Sequence, residues 1–71
     1  MEKREELIYS LIFSDRTVYM IDLGEYVDDI YRYDDFVEEI RLVLKKSKVS
    51  ILKSSVKVTM TTATWELKLK K

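Results

Sequence analysis

The sequence predicts an α+β fold: one small domain over residues 1–71, with an antiparallel sheet (a hairpin plus a C-terminal meander) packed on one main helix at about 34–47, in the order ββ-α-βββ. Three observations carry this. Phe36, Val37, Ile40, Val43 and Leu44 recur at i, i+1, i+4, i+7 and i+8, one apolar stripe at helical spacing. After Ser47 the apolar period falls to two. Upstream, the turn chemistry of Ser14-Asp15-Arg16 divides two stretches rich in β-branched and aromatic residues. At 71 residues, 46% of them hydrophobic, the chain has enough apolar material for a single core and must use nearly all of it.

Taken in order, Leu7–Phe13 and Thr17–Leu23 read as the opening hairpin. Leu7, Ile8, Leu11 and Ile12 also fit a helix running on from the charged Glu2 to Glu6, but Ile8, Tyr9, Ile12 and Phe13 favour strand. Within the second stretch Tyr19, Ile21 and Leu23 share a face. Tyr26, Val27, Ile30 and Tyr31 repeat a helical pattern, which predicts a short helix after Gly24. For the main helix, Asp35 and Glu38 have the spacing of a capping box, while Arg41, Lys45 and Lys46 complement the dipole at its far end. Val49 and Ile51 then alternate with Ser50, and Ser54-Ser55 reads as a turn. Val56, Val58 and Met60 alternate with Lys57, Thr59 and Thr61, and Trp65, Leu67 and Leu69 with Glu66, Lys68 and Lys70. The apolar parity changes from even to odd between Met60 and Trp65, so a turn or bulge is required at residues 61–64. The expected core sets the helical stripe against Val56, Val58, Met60, Trp65, Leu67 and Leu69.

Composition removes several function classes. With no cysteine and no histidine, the chain offers no disulfide, thiolate site or cysteine nucleophile, and lacks the commonest general base and transition-metal ligand. One glycine cannot build a phosphate-cradling loop, and no serine stands in a context that marks a nucleophile, so the chain is not expected to be an enzyme. Asn, Gln and Pro are also absent, and charged residues make up 37% of the chain, a partly thermophile-like composition. No apolar run approaches the roughly 18 residues of a membrane span, and the charged start lacks the pattern of a secretory leader. A cytoplasmic protein is expected.

Charge is segregated along the chain although the formal net charge is zero. Residues 22–40 carry eight acids against Arg32 alone, whereas residues 41–71 carry nine bases against Glu66 alone. These segments must fold against each other or meet across molecules. Internal pairing, and so a monomer, is the expectation.

The acidic segment supplies the specific functional candidate, a weak calcium site drawn from Asp28, Asp29, Asp34, Asp35, Glu38 and Glu39. Asp35 with Glu38 or Glu39 would share one helix face, and a cation would relieve the repulsion of clustered carboxylates. The plainer alternative makes them capping residues and a solvated helix face. A second function is a protein-interaction module, homodimeric or with a basic partner, using the acidic surface that bears Tyr26, Tyr31 and Tyr33. Of these tyrosines, Tyr26 and Tyr31 are expected in the core and Tyr33 beside the acids. Nucleic-acid binding by the face carrying Lys57, Thr59, Thr61, Lys68 and Lys70 ranks below both, because no aromatic side chain shares that face.

Overall fold

The computed structural model describes residues 2–71. Its elements run α1 (Lys3–Phe13), β1 (Val18–Asp22), two short 3₁₀ turns (Leu23–Glu25 and Ile30–Arg32), α2 (Tyr33–Lys46), β2 (Ser50–Val58) and β3 (Ala63–Lys70). The three strands form one antiparallel sheet in the order β1-β3-β2, so the α+β class holds.

The expected N-terminal hairpin is not formed, because residues 3–13 are α1 and β1 pairs with β3 instead. Helical period overrides local strand propensity here. Leu7 and Leu11 fall one turn apart and are buried, Ile8 and Ile12 flank them, and Tyr9 and Phe13 lie on the exposed side with ring centroids 4.8 Å apart. The first turn carries Glu5 and Glu6, as the helix dipole favours, but the last turn has no basic residue. Lys71, beyond β3, supplies that cation from across the fold: its Nζ donates to the main-chain oxygens of Ser14 (2.8 Å) and Ser10 (3.2 Å). The phenol of Tyr19 joins them, donating to the Ser10 oxygen at 2.9 Å and lying 2.8 Å from Ser14 Oγ.

α2 is the helix its stripe predicts. Phe36, Val37, Ile40 and Leu44 are buried, and Val43 is half-buried at the margin. No capping box forms at its start. The helix grows out of the preceding 3₁₀ turn, so the Asp29 carboxylate caps that turn by accepting from Tyr31 N at 3.0 Å. A similar bond from Gly24 N to Asp22 Oδ1 opens the first turn. These two turns replace the single short helix expected after Gly24. At the other end, Val49 N donates to Leu44 O and Lys48 N to Lys45 O, the paired bonds of a Schellman motif, with Lys48 in the left-handed region at φ 61°.

β2 runs without a break through Ser54-Ser55, which therefore form no turn. The register passes from Ile51 opposite Leu69 to Lys53 opposite Lys68, so Leu52 is an extra residue in a bulge. That bulge makes the first parity change, and the hairpin after Val58 makes the second. Opposed residues share a face, so Ser54, Val56 and Val58 lie on the same side as Leu67, Trp65 and Ala63. Ser54 Oγ uses that position to accept from the buried indole of Trp65 at 2.8 Å.

The core lies between this face and the helices: Leu7, Leu11, Tyr19, Ile21, Leu23, the four buried residues of α2, Ala63, Trp65, Leu67 and Leu69. Central β3 alternates strictly between buried and accessible positions. Besides half-buried Val43 and exposed Tyr31, three expected core residues are not in it. Val56 and Val58 face the right way but remain 38% and 46% exposed, and Met60 projects fully from the hairpin turn. They stand at the end of an edge strand where no helix covers them. Thr59 and Thr61 also belong to that turn, leaving Lys53, Lys57, Lys68 and Lys70 on the solvated sheet face.

Candidate functional site: an acidic concavity at the β1–α2 connection

The end of the molecule where Val56, Val58 and Met60 are exposed is also where the chain passes from β1 into α2. That connection holds Leu23 in the core and packs Tyr26 and Val27 against it, while Asp28 and Asp29 between its two capped turns stay exposed. The hairpin turn opposite is fixed by Thr59, whose N–H donates to Thr62 O at 2.8 Å and whose hydroxyl lies 2.7 Å from that of Thr62. Between the two segments is an open concavity of about 810 Å³. Ile30, Tyr33, Val58 and Met60 supply its apolar surface, and its charged lining is Asp22, Glu25, Asp28 and Asp29, with no basic residue. None of these four acids makes an ion pair among the described residues.

The six proposed calcium ligands are dispersed by the same geometry. Asp28, Asp29, Asp35 and Glu39 border a smaller depression of about 210 Å³, but Arg4 and Arg32 share it, and Arg4 pairs with Glu39. Asp28 and Asp29 also reach the larger concavity. Asp34 lies exposed in the first turn of α2, and Glu38 pairs with Arg41 one turn on, at 3.8 Å. Among the described residues, no three acidic side chains gather closely enough to hold a metal ion between them.

The tyrosines divide differently from their expected places. Tyr26 stacks on Phe36 with centroids 5.5 Å apart. Burial, reinforced by the charges of Glu25, Glu6 and Asp22, pushes its phenol above the usual 10. Tyr31 is 89% exposed, and Tyr33 is half-buried in the lining of the concavity. Sequence patterning missed Ile30, Val58 and Met60 as surface residues, since each sits in an apolar period that reads as core. The usable signal was an apolar residue, Ile30, set directly after Asp28-Asp29 and before Tyr31.

Comparison with protein-family models, curated proteins and solved structures found no match. Among the described residues no helix is long and apolar enough to cross a membrane.

Proposed function

We propose that this protein is an interaction module whose concavity docks a cationic, partly apolar segment of a protein partner. The observation that carries this is the lining itself: Ile30, Tyr33, Val58 and Met60 beside four carboxylates that make no ion pair among the described residues. Water-exposed apolar side chains within a polar rim are the usual anatomy of a recognition surface. Unpaired rim charges steer a complementary partner and add specificity more than affinity. Both turns of the connection are held by side-chain caps and the opposite wall by the Thr59–Thr62 bonds, so little ordering is required on binding.

The test is an amide NMR titration with a short peptide alternating lysine and leucine, compared with one alternating glutamate and leucine. Shifts confined to residues 22–33 and 58–63, produced by the lysine peptide alone, are the expected result. Equal responses to both peptides, or shifts spread over the molecule, would refute a docking site here.

Weak calcium binding is the second reading, favoured by the four carboxylates that border the smaller depression. Calcium would then shift Asp28, Asp29, Asp35 and Glu39 at concentrations where magnesium and ionic-strength-matched sodium chloride do not. Identical responses to all three salts would leave these acids as a screened surface.

A further inference from the structure

We infer that the segment received by the concavity is the α2–β2 turn of a second copy of this chain, so that copies add head to tail. This rests on the docking function proposed above and names its partner. The turn has the required chemistry. Lys45, Lys46 and Lys48 are exposed at its tip, with exposed Leu42 and half-buried Val49 beside them. The Schellman bonds hold this corner in one shape, so presenting it costs little conformational entropy.

Position makes the contact intermolecular. The turn directly precedes β2 and the concavity is walled by the residues that directly follow it, so the nine residues of β2 lie between them. At about 3.3 Å per residue that is a separation of more than 25 Å. One copy therefore gives its tip and receives another's at the same time. Charge agrees with this. Only the i,i+3 contact of Arg41 with Glu38 joins the acidic and basic segments among the described residues. Neither the three tip lysines nor the four concavity acids take part in any ion pair there.

A contact between two different surfaces does not close on itself at two copies, so growth continues into rings or chains.

Sedimentation velocity from micromolar to millimolar protein tests this. In 0.01 M salt, where the Debye length is about 30 Å, the average mass should rise with concentration beyond that of a dimer; in 1 M salt, at about 3 Å, it should return to the monomer. Two variants locate the surfaces. Lys45→Glu/Lys48→Glu reverses the tip; Glu25→Lys/Asp28→Lys reverses the concavity and spares the Asp22 and Asp29 caps. Each alone should be monomeric, with a circular dichroism spectrum like the parent's, and an equimolar mixture should associate again. A misfolded variant cannot restore assembly on mixing, so that arm separates charge matching from loss of structure. The neutral variant Lys45→Gln/Lys48→Gln should weaken association with no change of fold. A parent protein that stays monomeric throughout at low salt, a mass that stops at the dimer, or a mixture that does not associate would overturn head-to-tail assembly. If the lysine–leucine peptide still binds residues 22–33 and 58–63 in that event, only the partner is wrong. If it does not, the docking function fails as well.

Discussion

Lys48 holds the only positive φ among the described non-glycine residues, and the Schellman motif requires it there. A side chain in that region costs free energy that glycine avoids. Lys48→Gly should therefore stabilise the fold by about 0.5–1 kcal/mol in chemical denaturation, and a destabilised variant would show that the lysine makes a compensating contact. Tyr19 gives a second prediction. Burial alone would raise its phenol, but hydrogen bonds with Ser10, Ser14 and Lys71 and the charge of the Lys71 ammonium outweigh burial and hold it below 10. Ionised Tyr19 is thus favoured by the fold. Its linkage adds stability as pH rises through the folded-state value and is lost as pH falls through it. Tyr26, shifted upward, has the opposite sign: its contribution is present below 10 and lost as pH rises through its folded value. Because the two oppose each other in a melting curve, resolved titration is the proper check. Tyr19→Phe should delete a phenolate transition below 10 and Tyr26→Phe one above it; the reverse order would contradict the hydrogen bonds to Lys71.

Among the elements, α2 is the most exposed to a single change. Ile40 is fully buried at the centre of its stripe, and Ile40→Ala should cost about 2–5 kcal/mol by denaturant titration. In a domain of this size that lowers the melting temperature by at least about 8 °C. A loss under about 0.5 kcal/mol would place Ile40 outside the core. This helix was legible because fourteen residues repeat one period, long enough for pattern to dominate composition. α1 was not, because Ile8, Tyr9, Ile12 and Phe13 have strand propensity, and only the burial of Leu7 and Leu11 decides between the two periods. The bulge at Leu52 was missed because it uses no glycine, proline or asparagine, whereas Ser54-Ser55 has the composition of a turn. For the site, the acids were legible as a cluster, but their dispersal between two surfaces depends on capping bonds that no spacing rule specifies.

For the molecule as a whole, segregated charge on a net-neutral chain predicts a salt dependence of association. Light scattering should show association at low salt that weakens as salt rises, while the buried core remains unaffected. Persistence at high salt with an intact fold would mean that apolar contact alone holds the copies together.

The middle strand of the sheet is the one furthest along the chain. β1 and β2 do not touch each other; each has only β3 as a neighbour, and the cation that closes α1 lies one residue beyond it. During synthesis the earlier strands therefore emerge with no partner, and Ile21 on β1 waits for Trp65 some forty residues later. Helices α1 and α2 are too short to be stable without the sheet they pack on, so helices and sheet close in one late step when residues 63–70 arrive. A chain arrested at residue 62 would lack that core, and proteases should cut it wherever it is stalled.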